Sequence, residues 1–533
     1  MLWIENGIIK YQGISLLENI NFEIKNTEKI AIVGRNGSGK TSLLKLIAGE
    51  IDLSKRTSDY QIKMKKNHGI KIGYMKQIAF EDNTLSLLDE LMKVYTPIIE
   101  LQKELDILIE KMNYDSSDKI ILEYTNLQET FMSLGGYECN QDYEKILYKL
   151  GFNKRDLSKR LNEFSGGEQT RIALAKMILS KPDIMLLDEP TNYLDVEMIE
   201  WLENYIQHYE KAVVIVSHDR MFLDRVTNIV YEIEHKTIYR YVGNYSAYLI
   251  QKEKNWEKLN KEYEEQEKEI KRLKETAERF KHIPSKAAMA KGRLKYIERI
   301  CKISKPVKPN MKTFQIDLQP ERRSFQEVIR LESLKIGYEQ LVAEVTCLIE
   351  RGKRVAILGK NGTGKSVLLK TLMGEVAPIE GIISWGMNSD VGYYNQDCIN
   401  YISQNTVIDE FWTCFPKLTQ NEVRSFLGMF LFSGDAVYKK IEQLSGGEKA
   451  RLQLAKIMRK KPNVLILDEP TNHMDLLGRE ALENILKEYI GTIICVTHDR
   501  YFASKISDSL LIFQNNTVVY TPLSYDEYFQ SVK

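Results

Sequence analysis

IAIVGRNGSGKTSLLKLIAGE, residues 30–50, returns further along the chain as VAILGKNGTGKSVLLKTLMGE, residues 355–375. In both copies a β-branched apolar run leads into G-x-x-x-x-G-K-[ST] and then a leucine-rich stretch, the strand–loop–helix context that gives this motif its meaning. The glycines let backbone N–H groups close around phosphates at a helix N-terminus, where the dipole favours anions. Gly34, Asn36, Gly37, Ser38, Gly39 and Ser42 belong to the first cradle, and Gly359, Asn361, Gly362, Thr363 and Gly364 to the second. Lys40 and Lys365 are placed to reach the β- and γ-phosphates, Thr41 and Ser366 to ligate Mg²⁺. One such match alone is sometimes only a glycine-rich turn; two in register exclude that reading.

The repeat extends outward. FSGGEQTRIALAKMILSKPDIMLLDEPTNYLD (164–195) returns as LSGGEKARLQLAKIMRKKPNVLILDEPTNHMD (444–475), and VVIVSHDRMF (213–222) as IICVTHDRYF (493–502). The same blocks in the same order mean two homologous α/β domains, 1–245 and 325–533. Each IMLLDEP-type run reads as a buried strand ending in two acids. Asp188 and Asp468 are the candidate metal ligands, Glu189 and Glu469 the candidates to orient or deprotonate water. His218 and His498 are placed to polarise a γ-phosphate; a lone histidine there would more often be structural, and the repetition argues otherwise. Gln77 and Gln396 follow short strands and are candidates to contact metal or water. Ser165, Gly166, Gly167 and Glu168, with Ser445, Gly446, Gly447 and Glu448, open helices far from the phosphate loops. Two loops and two such ends predict a head-to-tail arrangement in which each domain closes the other's site.

Between the copies, apolar residues step by three and four from Trp256 through Leu259, Tyr263, Ile270, Leu273, Ala277 and Phe280, a heptad-like seam. Pro284 stops the helix, and a second seam runs through Ala287, Ala290, Leu294, Ile297 and Cys301. An antiparallel helical hairpin over 246–305 is predicted, followed by a connector over 306–324. The 34 residues from Ala247 to Phe280 would reach ~50 Å at 1.5 Å per residue. Residues 251–278 carry eight Lys/Arg and nine Asp/Glu, whereas 279–305 carry nine Lys/Arg against Glu298 alone. A basic end on a projecting rod attracts a phosphate backbone; charge alone leaves a solvated coiled-coil spacer equally open. Gly34 and Ser165 are 131 residues apart but Gly359 and Ser445 only 86, so the first domain holds 45 extra residues. These fall near 92–136 and read as a second helical hairpin, an asymmetry that suggests an asymmetric partner.

The bulk composition agrees. A chain of 533 residues exceeds one core, and its net charge of +1 confines nucleic-acid binding to local patches. Six cysteines without a CxxC pair suit a reducing, cytoplasmic setting and exclude a zinc ribbon. No apolar run approaches the ~20 residues that cross a bilayer.

Phosphate loop, glutamine loop, SGGE signature, LDEPTN box and switch histidine together resemble the nucleotide-binding domain of ABC ATPases, twice over. The tandem domains, the basic linker and TN[HY][LM]D resemble the ABC-F family in particular. That resemblance implies P-loop NTPase domains, each a mixed α/β core with a helical subdomain, joined by the long antiparallel helical hairpin. It implies two Mg²⁺-ATP sandwiched head to tail, Tyr11 and Tyr338 as adenine-stacking aromatics, and Asp195 and Asp475 as D-loop aspartates coupling the sites. Tyr193 stands where the family usually has His, and Phe164 where it has Leu, which leaves equal hydrolysis at the two sites open. The resemblance further implies ATPase activity and binding at the ribosomal tRNA exit site, with the 92–136 arm toward ribosomal protein and RNA. Lys281, Lys286, Met289, Lys291, Arg293 and Lys295 would then meet 23S rRNA near the peptidyl-transferase centre and tRNA. Within the family there are antibiotic-resistance proteins and housekeeping translation factors; a modest arm, a long hairpin and the mixed apolar–basic HIPSKAAMAKG tip lean this chain toward protection against drugs of that centre. Neither a membrane partner nor a stable homo-oligomer is expected. A transporter subunit would share the nucleotide motifs but has no use for the basic rod. A DNA-repair ATPase would carry zinc cysteines or far longer coiled coils, and a purely structural module would not keep both glutamates.

Overall fold

The computed structural model describes all residues except 12, 54–62, 68, 76–79, 81, 113, 115–117, 134–138, 281–286, 300–318, 339, 361, 396–402, 473, 515 and 533. The runs IAIV, IMLLD and AVVIV are apolar on both sides of the pleat, the pattern of parallel strands covered on both faces. They become neighbours in one six-stranded sheet, in the order Ile72–Met75, Ile184–Asp188, Ala212–Val216, Lys29–Gly34, Ile229–Glu234, Thr237–Val242. All pairings are parallel except the last. The second domain repeats this order with Val391–Tyr394, Val464–Asp468, Thr492–Val496, Arg354–Leu358, Ser509–Gln514 and Thr517–Thr521. In each, the phosphate-loop strand and the acidic strand flank the strand leading to the histidine, so three functional segments leave the sheet at the carboxyl ends of adjacent strands.

The domains differ at their antiparallel strands. Leu2–Tyr11, Ile14–Ile24 and Lys63–Lys66 form a separate three-stranded sheet in the first domain. In the second, Leu341–Glu350 pairs in parallel with Thr517–Thr521 through Glu344 and Val345, fusing everything into nine strands. At the corresponding place in the first domain, Glu18 N–H donates to Lys236 O at 2.7 Å.

The first linker helix is continuous over 36 residues, Tyr245–Phe280, starting two residues before Ala247, and the second is Ala287–Arg299. Ala277 and Ile297 are buried, whereas Leu259 is 48% and Leu294 41% exposed. A four-residue step from Trp256 lands on half-buried Asn260, so Leu259 falls outside the seam in which it was expected. Thr96–Met112 and Asp118–Ser133 form the extra helices of the first domain, burying Leu105, Leu108 and Phe131. Among the described residues no helix is long and apolar enough to cross a membrane.

Candidate active site

Each phosphate loop is locked by what surrounds its glycines. Gly364 sits at φ +95°, and an added Cβ would lie 2.4 Å from Val342 Cγ1. Gly39, at φ +102°, would bring a Cβ to 3.1 Å from Leu17 Cγ. Lys40 arches over its loop and donates to Gly34 O at 2.8 Å and Arg35 O at 3.2 Å; Lys365 does the same to Gly359 O at 2.9 Å and Lys360 O at 2.8 Å. Burial lowers the pKa of both ammonium groups. Thr41 Oγ1 donates to Asp188 Oδ2 at 3.0 Å, and Ser366 Oγ to Asp468 Oδ1 at 3.3 Å. A hydroxyl beside a carboxylate, with nucleotide phosphates to supply further oxygens, is a donor set that fits Mg²⁺. Ser38 Oγ, inside the first loop, is buried and makes no hydrogen bond among the described residues, as an atom awaiting a phosphate would.

The next residue in each acidic strand turns sharply. Glu189 and Glu469 adopt left-handed φ values of 52° and 49°, a strain of about 1–3 kcal/mol each that surrounding structure must over-determine. Glu189 N–H donates to Val216 O at 2.8 Å and Glu469 N–H to Val496 O at 3.0 Å. The turned carboxylates meet the histidines. Glu189 Oε1 lies 3.4 Å from His218 Nε2, and Glu469 Oε1 lies 3.5 Å from His498 Nε2. Burial pushes Glu189 up to about 7 and also raises Glu469. It holds both imidazoles in the neutral range, His218 far below its ordinary value and His498 at about 3. Each carboxyl–imidazole pair therefore lies beside a buried lysine and a metal-type oxygen pair, an arrangement suited to holding a water against a terminal phosphate.

The second domain closes the first site. One cavity of about 600 Å³ is lined by Lys40, Thr41, Asp188, Glu189 and His218 and also by Ser445, Gly446, Gly447, Met474 and Arg479. Asn36 N–H donates to Asp475 Oδ2 at 3.4 Å, and the Asp475 charge acts on Lys40. On the other side Asp195 acts on Lys365, and Lys360 Nζ lies 2.8 Å from Glu197. The predicted head-to-tail geometry is thus present. Asp195 and Asp475 also cap their own helices, accepting from Met198 N–H at 3.0 Å and Gly478 N–H at 2.9 Å.

An ABC transporter family model matches residues 17–192 and 342–472, and a second, also described as ABC transporter, matches 231–316. ABC transporter F family member 5 of Arabidopsis thaliana is 33% identical over 519 residues, 95% of this chain and 74% of that one. The chain belongs to the ABC-F family of ATP-binding cassette proteins. YdiF of Bacillus subtilis is 43% identical over 520 residues, 96% of this chain and 80% of that protein. In fold, the chain is similar to a solved archaeal ribosome recycling factor, aABCE1, with a TM-score of 0.61 at 18% identity over 99% of this chain and 92% of that one. As an ABC-F protein it binds ATP and is an ATPase.

In this ABC-F chain several expected residues have definite local tasks. Glu168 Oε2 accepts from Ser165 N–H at 2.8 Å, and Glu448 Oε2 from Ser445 N–H at 2.9 Å, so both turn back as capping boxes rather than toward the cavity. An added Cβ at Gly167 would lie 3.1 Å from the ring of Tyr193, the residue that departs from the family pattern, so the ring packs tightly over this glycine. Tyr338 is exposed just beyond Gly337. Gln77, Asn361, Gln396, Lys281 and Lys286 lie outside the described residues, as does the side chain of Tyr11; Met289, Lys291 and Lys295 are exposed and Arg293 is half-buried.

Sequence reading missed the arginines that cross between domains. Arg500 pairs with Glu203, both buried, and Arg220 Nη1 lies 3.4 Å from Glu483 while its Nη2 donates to Leu476 O at 3.0 Å. The signal was available: HDR and LEN recur in register, at 218–220 with 498–500 and at 202–204 with 482–484.

Proposed function

We propose that this chain is an ATP-switched ribosome-binding factor that enters the tRNA exit site and protects the peptidyl-transferase centre from drugs bound there. The observation that carries the switch is the seat of the long linker helix. Tyr245 and Tyr248, its first turn, are buried in the same cluster as Leu476 of the second domain. Tyr248 Oη donates to Glu232 at 2.7 Å, and Lys252 pairs with the same carboxylate. Tyr245 feels the charges of Arg220 and Glu480, themselves an interdomain pair at 3.3 Å. A 36-residue lever rooted beside the domain interface moves when ATP closes that interface. Mg²⁺, held by Thr41 with Asp188 and by Ser366 with Asp468, would supply charge neutralisation at the phosphates. Glu189 and Glu469 hold the attacking water, His218 and His498 steady the γ-phosphate, and the signature ends of the opposite domain complete each site.

The exposed Met289, Lys291 and Lys295 on the second linker helix suit an rRNA and tRNA contact, and the extra helices of the first domain a ribosomal protein. The similarity in fold to a ribosome recycling factor is in keeping with a ribosomal partner. The test is cell-free translation inhibited by a lincosamide or pleuromutilin, with the purified protein and ATP. Restored synthesis, lost in Glu189→Gln/Glu469→Gln, is the expected result. Ribosome binding without rescue from any drug of that centre would refute protection and leave a housekeeping translation factor; no co-sedimentation of the double variant with ribosomes would refute the ribosome itself as partner.

A further inference from the structure

The two ATP sites are built from the same motifs, yet one residue of the first has no counterpart. Arg479 follows the D-loop of the second domain and lines the first-site cavity beside Glu189, His218 and Lys40. Its guanidinium is fixed in place: Nη1 lies 2.8 Å from Asp499 Oδ2, Nε donates to Met474 O at 3.3 Å, and the side chain is only 11% exposed. Its charge reaches both Glu189 and His218. In the repeat register, position 479 corresponds to 199, which is Ile199, buried in the apolar core. Among the described residues, the charges acting on Glu469 and His498 come from their own domain, Asp468 and Lys365 on the glutamate and Lys365 on the histidine, with Asn472 adding a hydrogen bond to the glutamate.

We propose that Arg479 is a trans-acting cation for the first ATP site alone, stabilising the γ-phosphoryl group during hydrolysis, so that the two sites turn over ATP unequally. The proposal rests on the ATPase activity and not on the ribosome reading. In-line attack of water on the γ-phosphorus, with ADP leaving, spreads negative charge over the equatorial oxygens, and a fixed guanidinium beside them acts more on that state than on bound ATP. The planar fork is oriented by Asp499, which immediately follows His498. The cation serving the first site is therefore held by the residue next to the switch histidine of the second.

The test uses the full chain in two backgrounds, Glu469→Gln to leave the first site active and Glu189→Gln to leave the second. Single-turnover hydrolysis with Arg479→Met is expected to fall ten- to a hundredfold in the first background, with kcat carrying the loss, and less than threefold in the second. Arg479→Lys is expected to recover part of the rate, because charge rather than packing is at stake. Fluorescent ATP and ADP binding to Lys365→Ala/Glu189→Gln, in which only the first site binds, supplies a readout apart from turnover. There Arg479→Met should weaken ATP about tenfold and ADP less than threefold. Equal losses in the two hydrolysis backgrounds, equal losses for ATP and ADP, or no loss at the first site would each overturn the proposal.

Discussion

Arg500→Ala and Glu203→Ala remove opposite ends of one interdomain ion pair, and the surroundings predict unequal consequences. Arg500 is 1% exposed and Glu203 4%. Removing one member of a buried pair costs about 3–5 kcal/mol, because the remaining charge stays desolvated without its partner. Glu203 has a second partner, Arg225 Nη1 at 2.8 Å, so losing Arg500 still leaves its carboxylate paired. Among the described residues Arg500 has just Asp219 Oδ2 at 3.8 Å in reserve. We expect Arg500→Ala to weaken the closed arrangement by about 2 kcal/mol, roughly 30-fold, and Glu203→Ala by about 3–5 kcal/mol, more than 100-fold. When the domains part, the stranded charge regains water, so the cost falls on closure rather than on folding. Interdomain fluorescence transfer in the Glu189→Gln/Glu469→Gln background, with the release half-life of trapped ATP, reads that equilibrium. Replacing both residues by Met should restore much of the loss, since no charge is then stranded. Equal effects of the two single changes, or changes within twofold of the parent, would refute this account of the interface.

Gly364→Ala should abolish nucleotide binding at the second site, because φ +95° and a Cβ 2.4 Å from Val342 force the loop to shift; bound nucleotide should fall from two to one per chain, and an unchanged stoichiometry and affinity would contradict the steric argument. Acid should destabilise the chain through its histidines. His498, held down to about 3, and His218, held well below its ordinary value by burial, stay neutral when folded but take up a proton near pH 6.5 when unfolded, so stability falls as pH drops below about 6.5. Each contributes at most about 1.4 kcal/mol per pH unit, and denaturant midpoints at pH 7.5 and 5.0 should lie closer together in His218→Asn/His498→Asn. Lys291→Glu, Arg293→Glu and Lys295→Glu together should lower ribosome co-sedimentation at least tenfold at physiological salt with basal ATPase unaltered; undiminished binding would make that basic face a solvated one.

The sequence alone determined whatever depends on neighbours in the chain. The phosphate loops, the acidic strand ends and the parallel core follow from glycines, strand-forming apolar runs and motif order, all set within short stretches. The long linker helix was legible from its periodicity to within two residues, although the turn of an α-helix drifts against a heptad and placed Leu259 outside the seam. The doubling of every motif also announced two sites closed head to tail. Only the tertiary structure decided what the second domain adds to each site. Arg220 meets Glu483 across 263 positions and Arg500 meets Glu203 across 297, contacts that exist because two rigid bodies dock and that no local spacing encodes. The same docking makes Arg479 part of the first site, while its counterpart Ile199 is taken into a core. It also shows Glu168 and Glu448 shaping helix ends, where the motif alone would have them touch nucleotide. Burial, which only the assembled fold supplies, turns two ordinary glutamates and histidines into groups whose protonation is shifted for work on a phosphate.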